Sequence, residues 1–176
     1  HEVYLCASED FKAKSESKTA LDAYKELEAL PDESALDFCI RMGWEYYVYQ
    51  MLIVDYLILN RDRHGANIEV LRNSRKKTIR LAPLFDHGNS LFNFAGTDAW
   101  ADSTALEEYI ETLYPSVYDD FLGTAKAALT PELREKLRHL LNFKFKKHSR
   151  YNLPEKRLRM MERQVQKRAR ILLNME

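Results

Sequence analysis

Glycine is scarce in this chain: Gly43, Gly65, Gly88, Gly96 and Gly123 are the only five in 176 residues. No two lie close enough to form a loop whose successive backbone N–H groups could wrap a phosphate chain, so a nucleotide-gripping glycine loop is excluded. Cysteine is scarcer still. Cys6 and Cys39 match no paired metal spacing and cannot supply a disulfide framework, and they read as buried thiols in a reducing cytoplasm. Long apolar runs are missing as well: none approaches the roughly 20 residues of a membrane helix, and no secretory leader pattern is present. The predicted location is therefore cytoplasmic, with no membrane partner.

An excess of charge of either sign is also lacking, since 27 Lys and Arg balance 27 Asp and Glu. The balance is uneven along the chain. Residues 131–176 hold 14 basic and 5 acidic residues, a local charge of +9 that leaves −9 for residues 1–130. This polarity is of the kind that guides a tail to an acidic partner or to nucleic acid, and its plainer reading is a solvated basic face on terminal helices. Nothing there matches a nucleic-acid motif, so nucleic acid is not an expected partner.

What is present suffices for folding without metal or disulfide: 45% apolar residues in 176 support one sizeable core, and a single domain over 1–176 is expected. The alternation of Val3 and Leu5 predicts a short strand over 2–8. Thr19 to Leu30 reads as a helix stopped by Pro31. Asp32 is then expected to cap one long helix reaching Asn60, with its carboxy-terminal half buried, because Leu52, Val54, Leu57 and Ile58 leave little polar face. Residues 68–73 and 77–81 read as two strands about the turn Asn73-Ser74-Arg75-Lys76, a hairpin that would bring Asn67 and Asp86 together at its open end. Residues 93–103 read as a loop, and helices are expected from Thr104, broken at Pro115, Gly123, Pro131 and Pro154. Leu158, Met161, Val165, Ala169 and Leu172 recur at helical spacing as a core-facing stripe. The predicted class is mainly α with a small β-hairpin.

The chemistry concentrates in two acidic stretches. Asn60-Arg61-Asp62-Arg63-His64-Gly65-Ala66-Asn67 leaves the apolar helix, and Leu81-Ala82-Pro83-Leu84-Phe85-Asp86-His87-Gly88 leaves the second strand. Phosphoryl transfer needs one carboxylate to accept a proton from the attacking hydroxyl and oxygen ligands to hold magnesium against nucleotide phosphates. Asp62 suits the first role, and Asn67 and Asp86 suit the second. Asp62 and Asn67 have the spacing of the catalytic Asp and metal-binding Asn of a kinase catalytic loop, and Asp86-His87-Gly88 stands where kinases carry Asp-Phe-Gly. Of the nearby arginines, Arg63 is the best candidate to neutralise these carboxylates or to meet a substrate phosphate.

The run from Asp55 through Asn60, Asp62, His64 and Asn67, followed by Leu81-Ala-Pro83-Leu-Phe-Asp86-His-Gly88-Asn-Ser-Leu91, resembles the carboxy-terminal lobe of HipA-like serine/threonine kinases. Its Asp-Arg-His-x-x-Asn order is also similar to the catalytic loop of phosphatidylinositol 3- and 4-kinases. The close match covers roughly Leu52 to Leu91. The resemblance implies a protein-kinase-like carboxy-terminal lobe, ATP and Mg2+ as cofactors, a protein substrate, and His64 as a motif residue holding the loop or the Asp carboxylate. It also implies an amino-terminal lobe bearing a Gly-rich loop and a strand Lys, and neither is evident here. The chain is thus expected to be one lobe or a fragment, weak or inactive alone, with residues 1–18 as a possible remnant of the missing lobe's last strand and the hinge.

Two other readings compete. One is a non-catalytic remnant that binds a partner, such as the antitoxin-like proteins of HipA relatives. The other is a metal-dependent phosphohydrolase with Asp62, His64, Asp86 and His87 as ligands.

Overall fold

The computed structural model describes residues 10–113 and 118–175. These divide into two compact units, one holding the described residues 10–44 and 64–85 and the other 45–63, 86–113 and 118–175. The strand predicted over 2–8, Cys6 and the break at Pro115 lie outside the described residues.

The first unit is built on a three-stranded antiparallel sheet, β1 (Ser17–Ala20), β2 (Glu69–Asn73) and β3 (Thr78–Leu81), in the order β1-β2-β3. The predicted hairpin is its β2–β3 half, with Val70 opposite Leu81 and Asn73 opposite Thr78. The Asn73 side chain makes the turn, because its Oδ1 accepts from the backbone of Arg75 at 3.2 Å and Lys76 at 3.1 Å, as Asn does in turns at little steric cost. β1 lies against β2 with Thr19 opposite Val70. Thr19 and Ala20, expected to begin a helix, therefore belong to a strand, since the unpaired edge of β2 offers partners for their backbone groups. Helix α1 (Leu21–Glu28) follows at once.

The long helix expected from Asp32 to Asn60 is two helices. α2 spans Ala35–Arg41 and α3 spans Glu45–Ile58. Gly43 stops the first: it has φ +76°, its N–H bonds to Ile40 O at 2.9 Å, and Trp44 N–H bonds to Cys39 O at 2.8 Å. That is a Schellman ending, in which glycine takes the left-handed position without penalty. The start also differs. Ser34, not Asp32, caps α2, its hydroxyl oxygen accepting from Asp37 N–H at 3.1 Å, while Asp32 sits in the left-handed region at φ 59°.

Tyr24, Phe38 and Trp44 form the aromatic centre of the first unit, with ring centroids 6.1–6.3 Å apart. Cys39 is buried beside Phe38 in the chain, and burial pushes its thiol up to about 11. Thiolate is the reactive form. At pH 8, iodoacetamide is therefore expected to leave Cys39 unmodified in the native protein and to label it in urea, read by mass spectrometry of its peptide. Labelling at equal rates in both states would contradict this burial.

The second unit is helical. α3 packs with α5 (Phe121–Ala127) and α7 (Glu155–Leu173), and α4 (Ser103–Glu111) and α6 (Pro131–Arg138) complete it. The expected α7 stripe is buried throughout. Pro131 takes the first helical position of α6, where its missing N–H costs nothing, and Pro154 precedes α7. Gly123, in contrast, lies inside α5 and breaks nothing. Asp120 caps that helix by accepting from Gly123 N–H at 2.8 Å, and its carboxylate lies where a Cβ on Gly123 would be. Among the described residues, no helix is long and apolar enough to cross a membrane.

Candidate functional site

The residues singled out in the sequence divide between the units. Asp62, Arg63, Asp86 and His87 belong to the second, and His64 and Asn67 to the first.

In the second unit the loop after α3 is fastened from below. α3 is apolar over its last two turns except for Asp55, which is fully buried. A carboxylate in such a place needs partners for both oxygens, and the loop returns to provide them. Arg63 donates from Nε to Asp55 Oδ2 at 2.9 Å and from Nη2 to Oδ1 at 3.1 Å, and Asn60 Nδ2 donates to Oδ1 at 2.9 Å. The Arg63 side chain is 1% exposed, and that of Asp55 is 0% exposed. This two-pronged geometry is the strong form of a charge-assisted pair. Asn60 also donates its backbone N–H to Asp55 O at 2.8 Å, and Leu59 turns the chain through φ 51°.

An aromatic wall closes the network. Tyr118 stacks on Phe121 with centroids 4.8 Å apart, and its hydroxyl lies 3.5 Å from Asp55 Oδ2. Burial, followed by the negative charge of Asp55, raises the Tyr118 phenol well above its ordinary value, and burial pushes Tyr47 up to about 12. Both phenols therefore stay protonated and neutral across the physiological range. Arg168 lies over the Tyr56 ring at 4.0 Å and donates to Tyr56 O at 2.6 Å, which ties α3 to α7.

The Asp86 segment runs beside this loop within the same unit. Leu91 N–H bonds to Ile58 O at 2.8 Å, Arg61 N–H to Asn89 O at 3.4 Å, and Arg61 Nη2 to Asn89 Oδ1 at 3.2 Å. Three consecutive attachments thus set residues 58–61 against 89–91, with Asp62 following the first strip and Asp86 preceding the second. Asp86 is exposed and left-handed at φ 56°. Among the described residues no ion pair or hydrogen bond engages its carboxylate. A strained acid without a protein counter-charge is suited to a cation.

In the first unit Gly65–Asn67 form a single 3₁₀ turn, closed by Asn67 N–H to His64 O at 2.9 Å. Asn67 is buried and His64 exposed. At Gly65 the exposed Asp22 carboxylate approaches the turn, and a Cβ there, 1.6 Å from Asp22 Oδ1, would displace that side chain. Leu21 N–H to Ile68 O at 2.8 Å fixes the same junction.

Among the described residues no three His, Cys, Asp or Glu side chains gather to hold a metal ion. An oxygen pair completed by a ligand's phosphates, as Asn67 and Asp86 were expected to provide, requires no such cluster.

Sequence reading passed over Asp55, Asn60 and Tyr118 as functional residues. The first had a signal, an acid in the middle of an apolar helix. Tyr118 had none, being 63 residues from its partner in the chain.

No protein-family model matches this chain, and no curated protein matches it. Among solved structures, the crystal structure of the Helicobacter pylori proinflammatory kinase CtkA is similar, with a TM-score of 0.56 and 16% identity over 94% of this chain and 73% of that one. At that identity the likeness is one of fold, and the fold of this chain is kinase-like.

Proposed function

We propose that this chain is the carboxy-terminal lobe of an ATP- and magnesium-dependent phosphotransferase, a serine/threonine kinase of HipA-like type acting on a protein. One observation carries the reading: the chain places Asp62 on a loop anchored by the buried Asp55–Arg63 pair, alongside a segment that leaves the Asp86 carboxylate strained and uncompensated. A structural acid would be paired, whereas a metal ligand must be available. The kinase-like fold supports the same reading.

In this proposal Asp62 accepts the proton of the attacking hydroxyl as its oxygen bonds to the γ-phosphorus of ATP and the bond from that phosphorus to the bridging oxygen breaks, ADP leaving, and its fixed position supplies orientation, the larger part of such catalysis. Asn67 and Asp86 would hold Mg2+, an all-oxygen donor pair of the kind that ion prefers. The bound ion would neutralise phosphate charge. Arg63 acts as a positioning residue: its guanidinium is spent on Asp55, so it sets the loop rather than meeting the substrate. His64, exposed at the start of the 3₁₀ turn, is placed by the motif beside Asp62 in sequence.

The test is a product assay on the full-length encoded protein with γ-labelled ATP, magnesium and a serine- and threonine-containing protein substrate. ADP and acid-stable phosphoserine or phosphothreonine are the expected products. Inorganic phosphate alone would support a phosphohydrolase, and no ADP formation at all would leave the binding remnant. The isolated 176-residue chain is expected to bind Mg–ATP weakly or not at all by calorimetry, because the glycine loop and strand Lys that cradle the phosphates are not evident in it. Sub-micromolar affinity would mean the nucleotide site lies elsewhere.

A further inference from the structure

The second unit contains an open cavity of about 290 Å3 outside the loop just described. Leu91, Phe92, Trp100, Leu158 and Met161 line it, with Leu153 and Arg157 also on its walls. Phe92, Leu158 and Met161 are buried members of the core, so the cavity is cut into close packing and does not depend on loose side chains. Leu91 and Phe92 are consecutive non-glycine residues with φ 49° and 65°, a strained pairing of the kind retained at functional sites. The volume lies at the lower edge of ligand pockets and suits one bulky side chain better than a cofactor.

Charge identifies what would carry that side chain. Residues 144–159 contain seven Lys and Arg against one acid, Glu155, a net charge of +6. Glu155 is already held by Lys147 and Arg159. Arg157 lies over the Trp100 ring at 4.4 Å, which fixes a cation on the cavity wall, and among the described residues no acidic side chain lines the cavity. Arg157 on the wall disfavours a cationic ligand, while an apolar group flanked by carboxylates meets an apolar interior and a basic rim at Arg157.

We propose that this cavity docks an aromatic or branched aliphatic side chain from an acidic segment of a partner protein, with the ring against Trp100 and Leu158 and the flanking carboxylates on Arg157 and its basic neighbours. This goes beyond the phosphoryl-transfer reading and does not depend on it, because binding is read without nucleotide.

The experiment is fluorescence anisotropy of labelled pentapeptides on the purified chain: acidic with central Phe, acidic with central Ala, and lysine-flanked with central Phe. The acidic Phe peptide is expected to bind at least about tenfold more tightly than either control, since burying a Phe side chain is worth that factor or more. Leu153→Glu, on a residue 48% exposed, and Arg157→Glu are each expected to weaken it about tenfold or more. Thermal melts unchanged within a few degrees show that both variants fold. Equal binding of Phe and Ala peptides, or equal binding by wild type and the folded variants, overturns the proposal. Self-association of the chain that Leu153→Glu abolishes would overturn it too, by making a second copy the occupant.

Discussion

Replacing Arg63 by Ala is expected to destabilise the chain by about 3–5 kcal/mol, the cost of leaving one member of a buried ion pair without its partner. Asp55 has no exposed surface. Once the guanidinium is gone, among the described residues Asn60 Nδ2 at 2.9 Å and the Tyr118 hydroxyl at 3.5 Å remain as its carboxylate's hydrogen-bond partners. Neither carries a charge. A loss of this size is a large share of the roughly 5–15 kcal/mol that holds a typical domain together, so urea denaturation should show an early transition. Arg63→Lys is expected to recover only part of the loss, because an ammonium cannot span both Asp55 oxygens as the guanidinium does. The decisive comparison is the double variant Asp55→Leu with Arg63→Met. Removing both charges leaves no buried charge orphaned and costs only the neutral Asn60 amide its acceptor, so the double variant should be more stable than Arg63→Ala alone. A single variant within about 0.5 kcal/mol of wild type, the range of ordinary surface changes, would show that the pair does not anchor the loop.

Much of this architecture was legible from pattern, and the misreadings share a physical origin. The hairpin and the α7 stripe were readable because each depends on local periodicity: alternation in one and a 3.6-residue repeat in the other. The division of the long helix was missed although Gly43 marked it. Apolar residues on both sides continued the helical pattern, and only the left-handed φ at Gly43 reveals that the chain reverses there. β1 was missed for another reason. Residues 17–20 have no strong strand pattern of their own, and they are extended because β2 presents an unpaired edge 49–55 residues later in the chain. Tertiary context overrides weak local preference in this way.

The site shows the same division. The proposed roles of Asp62, Asn67 and Asp86 rest on residue type and spacing. What fastens the loop could not, because Asp55 and Arg63 are eight residues apart and meet only after the helix ends and the chain turns at Leu59. Arg63 was read as a group facing substrate or neutralising the catalytic acids. Sequence supplied its charge but not its direction, and the direction here is inward. In an apolar helix, an isolated acid is best read as one half of a pair whose other half must be sought nearby.

Asp62→Ala and Asp86→Ala are expected to separate rate from binding when each is made in the full-length protein. Asp62 lies on the loop fastened by Asn60 and Arg63, and its proposed work is on the proton of the attacking hydroxyl, a contribution made only as the reaction proceeds. Its removal should lower turnover by about 10²–10⁴ and leave Mg–ATP affinity within roughly twofold, the pattern of an interaction confined to the transition state. Asp86 behaves differently because its carboxylate is uncompensated in the protein and is proposed to be completed by magnesium. Its loss should weaken Mg–ATP binding about tenfold or more, with turnover falling as well and partial recovery at high magnesium. The same change should leave stability nearly unaltered, since no protein group among the described residues loses a partner and the strain at φ 56° is not relieved by alanine. Asn67→Ala should fall between the two, with a stability loss added because Asn67 is buried. Calorimetry with Mg–ATP, steady-state turnover and urea denaturation on the same three variants distinguish these outcomes. Loss of Mg–ATP binding in Asp62→Ala, together with unchanged binding and turnover in Asp86→Ala, would reverse the assignment and with it the proposed division between proton acceptor and metal ligand.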